Sequence, residues 1–395
     1  MSPQGAIAYS FGLDISSKAM KFIPIAVILI LLTGAFTSSC RHYPSAPNDS
    51  TKCDTCCDTC HTDTTHHPCD TCNKVSDTTS HNFEWTEYTI PSRSTLSGVA
   101  VFSDNLIYAF LDKLFVFNGA TWTETKVTIN GKNYLPLFTD SYVFGMSNEE
   151  YWSVSGNIIY HGKKYSVDEF RLDQIGIMNY PIDGGVRSCW GPSSNDMFFV
   201  GDTGTIFHYD GANWTKFPKP TTKDLRSVWG TSHNDVWACG YNTSKGQTIL
   251  LHYDGNSWTE ENISITNNTI TGGFDGVWAC DSAGHKFVAT SGALLIRKTD
   301  NGNWRSDSGL VPNRLGDGSF IGIGPVGNSP NDMMAIGGWG FIAHWNGKDW
   351  KRYDQLYNYG SAIYYTAAFS IKGNIACAVG SKDGQSWIAI GRRKQ

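Results

Sequence analysis

Three copies of the tetrapeptide CDTC, at Cys53–Cys56, Cys57–Cys60 and Cys69–Cys72, place thiols beside His61, His66 and His67. Thiolate and imidazole groups at this spacing suit a tetrahedral zinc ion or another thiophilic metal. Read that way, the ligand set is Cys53, Cys56, Cys57, Cys60, His61, Cys69 and Cys72, and zinc is the only cofactor the sequence implies. In an exported chain the same even number of cysteines pairs as disulfides, or the segment is a low-complexity spacer. Both readings stay open. Residues 41–80 carry no aliphatic cluster that could form a core, so this stretch is a tether.

A second group of candidates is basic. Arg187 and Arg226 open the matching segments RSCWGPSSNDMFFVG and RSVWGTSHNDVWACG. Aligned with the other copies of this unit, they share a position with Ser97, Ser141, Asp275, Ile323 and Thr366. Two guanidinium groups at one channel mouth would grip a carboxylate, sulfate or phosphate bidentately. The competing reading is a structural salt bridge from Arg226 to Asp275. Aromatic candidates follow in KRYDQLYNYGSAIYY, with Tyr353, Tyr357, Tyr359, Tyr364 and Tyr365, and at Trp339 in GGWGF. An insertion at 166–185 adds Asp168, Glu169, Arg171 and Tyr180. Aromatics beside polar groups suit sugar faces or a protein hot spot; packing of the last repeat is the alternative for several of the tyrosines.

The elements that position these residues are repeats. RSVWGTSHNDVWACG followed by TILLHYDGNSWTE recurs with variation from residue 82 to the end. Each copy holds about four short β-runs, separated by an S-x-N-D turn, a Gly after the second run and a D-G or N-G turn before a closing aromatic residue. The closing anchors are Trp85, Trp122, Tyr165, Trp214, Trp258, Trp304 and Trp350, spaced 37 to 49 residues apart. That period matches a propeller blade of about 40 to 45 residues. Trp85 precedes any inner strand of its own, and the last copy lacks its fourth strand. The expected fold is therefore an all-β, seven-bladed propeller of four-stranded antiparallel sheets over 82–395, closed by residues 83–90 in the last blade, which leaves no open edge.

The unit resembles the bacterial W-G-x-S-x-x-D-V-W-A-V-G propeller repeats and, more loosely, Asp-box and photosystem-assembly-factor-like propellers. The resemblance covers nearly all of 82–395 and implies an exported or surface propeller that binds something. A strict Asp-box, S-x-D-x-G-x-x-W, is longer than the turns through Trp214 and Trp304, so sialidase-type chemistry does not carry over with the resemblance.

Repetition also assigns structural roles. His208, His252 and His344 share a third-strand position, and copies spread around a disc cannot gather into one catalytic centre. Trp190, Trp229 and Trp278 are expected between blades, and Cys189, Cys239, Cys280 and Cys377 inside β-runs behave as small core residues.

With 31 basic against 36 acidic residues and a net charge of −5, the chain lacks the basic field that holds nucleic acid. Residues 22–36, FIPIAVILILLTGAF, follow Lys18 and Lys21 as the apolar core of an export signal. The following TSSC resembles the lipobox of bacterial lipoproteins, with Thr37 where an aliphatic residue is usual. This implies a signal peptide over 1–39, acylation of Cys40, a tether over 40–81 and attachment to the cell envelope at the outer membrane or surface. The leading expectation is a lipid-anchored, non-catalytic propeller that binds a glycan, peptide or protein partner through Arg187, Arg226, Asp275, Trp339, Tyr357 and Tyr359. The alternatives are a glycan hydrolase or lyase, for which no paired acid and base is recognisable, and a metal-handling lipoprotein acting through its neck.

Overall fold

The computed structural model describes residues 78–90, 96–111, 113–133, 142–181, 183–242, 247–263, 273–282, 285–291, 295–298, 304–306, 323–337, 339–357 and 365–394. Residues 22–36, expected to be an export signal, Cys40, the neck thiols and histidines, Ser141, Tyr359 and Tyr364 lie outside them. Among the described residues there is no α-helix, and strands dominate.

Six sheets have four strands and one has six. Numbered along the chain, blades 1 to 7 begin with the innermost strands Gly98–Ser103, Tyr142–Gly145, Val186–Ser193, Asp224–Ser232, Gly276–Ser282, Ile323–Ser329 and Tyr365–Lys372. Each innermost strand packs on the innermost strands of both neighbours, and the last returns to the first, so the sheets form a closed ring. The six-stranded sheet is blade 2, a departure from the expected four. A hairpin of Thr128–Ile129 and Lys132–Asn133 adds to its outer edge, pairing in parallel with Ser166–Arg171. Asn130-Gly131 turns that hairpin with both residues at positive φ, the geometry an Asn-Gly dipeptide favours. Residues 166–171, expected to start an inserted loop, are the fourth strand of blade 2.

The repeat motif has a local cause. In blades 1, 3, 4 and 6 the residue opening the last turn, Asn118, Asp210, Asp254 or Asn346, accepts two backbone N–H groups from two and three residues ahead. The next residue is Gly119, Gly211, Gly255 or Gly347, at φ between +92° and +95°, and a Cβ there would strike Asn105, Asn195, Asn234 or Asn331. The N-D turn and the D-G turn thus press on each other, and each requires the other's small or polar residue.

Adjacent blades are joined by serine. Ser188 Oγ accepts from Val228 N–H at 3.3 Å, and Ser227 Oγ accepts from Val277 N–H at 3.2 Å. Trp190 fits under Gly230, whose absent Cβ would meet the indole at 2.5 Å, and Trp229 Nε1–H donates to the Ala279 carbonyl at 3.0 Å. Cys189, Cys239 and Cys377 are buried and in no disulfide; burial holds the Cys189 and Cys377 thiols protonated by raising their pKa.

Phe83–Ile90 closes the ring as the outer strand of blade 7, antiparallel to Gln385–Arg393, with Trp85 opposite Gly391. A side chain at Gly391 would collide with the indole. Phe83 and Trp85 then pack on Tyr353 and Met334 of blade 6, so one strand seals two blades. Beside this seam His344 Nε2–H donates to Asp332 at 2.8 Å, which leaves its Nδ1 to accept from His81 Nδ1–H at 2.8 Å. Arg393 also binds Asp332.

Burial lowers the pKa of His344 below its ordinary value, and the bonds from His344 and Arg393 lower that of Asp332 against its own burial. The unfolded chain therefore takes up protons at both sites before the folded one does, and both contributions fall with acid. The unfolding midpoint should drop as pH falls below about 6.5, with a second loss below the ordinary aspartate pKa. Thermal unfolding of the His344→Gln variant across this range should lack the first step; an unchanged profile would count against this role.

Candidate functional site

The starts of the innermost strands converge on a central cavity of about 650 Å³. Ser97, Arg187, Arg226 and Asp275 all line it, together with Trp229, Phe144 and a tract of Val side chains. The structure thus brings both arginines and Asp275 to one channel.

A local device aims the arginines. In blades 3 and 4 the pairing of first and second strands skips one residue, between Val186 and Ser188 and between Leu225 and Ser227. The skipped residues are Arg187 and Arg226. A β-bulge turns its extra residue out of the regular alternation. Blade 7 skips between Thr366 and Ala368, so its equivalent position is Ala367 and not the Thr366 expected from aligned sequence.

Arg187 Nε–H donates to Asp202, whose other oxygen accepts the Gly185 N–H at 3.0 Å. Arg226 lies 3.7 Å from Asp224 through Nη2 and stacks over the Tyr241 ring at 4.9 Å. Its Nε is buried without an acceptor. Asp275 makes no ion pair with Arg226 within 4 Å among the described contacts, so the expected interblade salt bridge is replaced by a longer-range attraction.

Tyr241 is the residue that sequence reasoning missed. It pairs with Asp224 across the strands, and Gly273 lies against its ring, where a Cβ would approach to 2.1 Å. That glycine lets the segment entering blade 5 cross the ring and bring Asp275 near the Tyr241 hydroxyl, which favours the charged carboxylate. Burial raises the pKa of Asp275, against opposing contributions from Tyr241 and Arg226. Burial also raises that of Tyr241. The only sequence signal was the aromatic residue directly after Gly240.

Arg187 also lines a side depression of about 440 Å³ with Asp202, Gly156 and Tyr180. Tyr180 is 46% exposed. Asp183 anchors the segment that carries it, accepting from Asn179 N–H, Lys216 at 2.7 Å and Lys219, which hold its carboxyl at about 2.

The other aromatic candidates gather elsewhere. Trp339, at φ 53°, and Tyr357 are half-buried, and Gly340, directly after Trp339, abuts the backbone of Leu356 and Tyr357. Arg352 lies over the Tyr357 ring at 4.7 Å. Neither Trp339 nor Tyr357 lines the central cavity. Tyr353 is 2% exposed and donates to the His81 carbonyl, so it belongs to the core of the seam.

No protein-family model and no curated protein matches this chain. Solved structures match it in fold. YCF48 bound to D1 peptide aligns with TM-score 0.54 at 14% identity, covering 79% of this chain and 97% of that one. YCF48 from Cyanidioschyzon merolae gives 0.51 at 14%, covering 77% and 98%. The extracellular domain of BT4673 from B. thetaiotaomicron gives 0.54 at 13%, covering 80% of this chain and 40% of that one. At these identities the likeness establishes one thing, the β-propeller fold.

Proposed function

We propose that this protein is a non-catalytic binding propeller, held at the bacterial cell envelope by acylation of Cys40, whose channel mouth receives a peptide segment of a partner protein. The observation that carries this reading is the buried, acceptor-less Arg226 Nε at the wall of a cavity that also presents Arg187, Asp275 and the Trp229 face. A peptide offers what this mixed lining lacks: a carboxylate or carbonyl for the guanidinium groups, N–H donors for the carboxylates and apolar side chains for the valine tract. The D1 peptide in a YCF48 structure of the same fold supports a peptide over a sugar.

Peptide and glycan arrays probed with the full chain test it. Saturable binding of peptides without turnover is expected, lost when Arg187→Ala and Arg226→Ala are combined. Binding confined to glycans, release of a cleaved product, or peptide binding that survives the double substitution would overturn the proposal.

A further inference from the structure

A carboxylate–imidazole pair recurs at the turn between first and second strands, the opposite end of the innermost strands from the arginines. Glu150–His161, Asp196–His208, Asp235–His252 and Asp332–His344 close at 2.7, 2.6, 2.8 and 2.8 Å. Each acid opens a second strand and each histidine lies on the third. The rings rest on their cross-strand partners, His161 on Trp152 at 4.1 Å and His252 on Trp237 at 4.1 Å. As a repeated pair this is a structural clasp.

The next blade's turn reaches the acid from outside. To Glu150 it brings Ser194, of the turn PSSND. At the matching position of TSHND the following blade carries His233. His233 Nδ1 lies 2.9 and 3.0 Å from the two oxygens of Asp196, which already holds His208 Nε2. The ligand atoms of Asp196, His208 and His233 all lie within 4.8 Å of one another. Where one blade boundary has a hydroxyl, this one has a third metal-binding group.

We propose that Asp196, His208 and His233 form a site between blades 3 and 4 for a divalent ion of the zinc class. Two imidazoles and a carboxylate form the donor set such ions prefer, whereas calcium and magnesium take oxygen ligands. Tetrahedral bonds of about 2.0–2.1 Å set ligand atoms about 3.3 Å apart. The contacts to Asp196 of 2.6–3.0 Å need to open slightly, and the two imidazole nitrogens, within 4.8 Å of each other, need to reach the same separation. His233 can supply that movement, since it sits on a turn with its side chain 46% exposed. Its ring keeps its bearing against Phe198 at 5.6 Å, and that of His208 against Phe198 at 4.6 Å. On binding, each imidazole keeps one proton by carrying it on the ring nitrogen turned away from the ion, His208 on Nδ1 and His233 on Nε2. The exposed side leaves coordination positions for water or an incoming ligand.

The experiment counts zinc on the full chain and on His233→Ser, which copies Ser194, after chelation and titration with zinc alone. The neck is present in both, so its contribution cancels. Wild type should retain one more ion per chain than His233→Ser, and Asp196→Asn should lose the same ion. With cobalt as probe, the difference spectrum between wild type and His233→Ser should show ligand-field bands without thiolate charge transfer. Equal zinc on chains that both keep native near-UV dichroism would overturn the site. A difference spectrum dominated by thiolate charge transfer would overturn it too, by moving the ion to the neck. Should His233→Ser fail to fold, His233→Gln replaces it with the same two readouts.

Discussion

Phe83→Ala should lower stability by about 3–5 kcal/mol, the range for emptying a buried aromatic site. Phe83 is 5% exposed and sits at the meeting point of Trp85, Tyr353, His344 and the Arg393 guanidinium. Its loss opens a cavity between blades 6 and 7, where the closing strand is held. A fall in melting temperature of about 5–10 °C follows for a chain of this size. Phe83→Leu keeps most of the apolar volume and should recover more than half of the loss. Calorimetry decides the matter: a Phe83→Ala midpoint within a degree of wild type would mean that the seam does not depend on this ring.

The second large effect is on recognition. Arg226→Met preserves much of the apolar stem over Tyr241 but removes the guanidinium, and a charge-assisted bond is worth about 1.5–3 kcal/mol. Affinity for an anionic peptide should drop about 10- to 100-fold. Asp275→Asn should act in the opposite direction, tightening the same peptide about fivefold by removing a nearby negative charge. Because burial raises the Asp275 pKa, the wild-type carboxylate is neutralised earlier than an ordinary aspartate as pH falls. Anion affinity of the wild type should therefore climb through that titration, while Asp275→Asn stays flat. Isothermal titration at several pH values reads all three, and equal affinities for wild type and Arg226→Met would remove Arg226 from the site.

The fold was largely legible because its signals are local. The D-G turn, the N-D turn and the closing Trp each impose a short-range geometry, and Trp85 without an inner strand pointed to the end-to-end seam that Trp85 opposite Gly391 now realises. The extra hairpin of blade 2 carried its own mark in Asn130-Gly131, but its two-residue strands are too short for a periodic pattern. At the channel, Arg187, Arg226 and Asp275 aligned correctly because their blades keep one register up to that point. Thr366 slipped by one because a bulge is invisible in sequence. Tyr241 could not be foreseen, since its place depends on Gly273, 32 positions later, passing over its ring. The tyrosines after Arg352 divided by packing: Tyr353 went to the core and Tyr357 to a half-buried position beside Trp339.

Joining Phe83 to Arg393 makes the first described strand wait for the last. As the chain folds, blades 1 to 6 can assemble in order, yet the ring stays open until Gln385–Arg393 is in place, and a loop of some three hundred residues must then be closed. A chain truncated even within Gln385–Arg393 would leave Phe83–Ile90 without its ladder and expose the unpaired edge of the strand before it. Closure of the ring is thus coupled to the arrival of Gln385–Arg393, and a chain without that strand keeps an open edge on which chaperones and proteases can act.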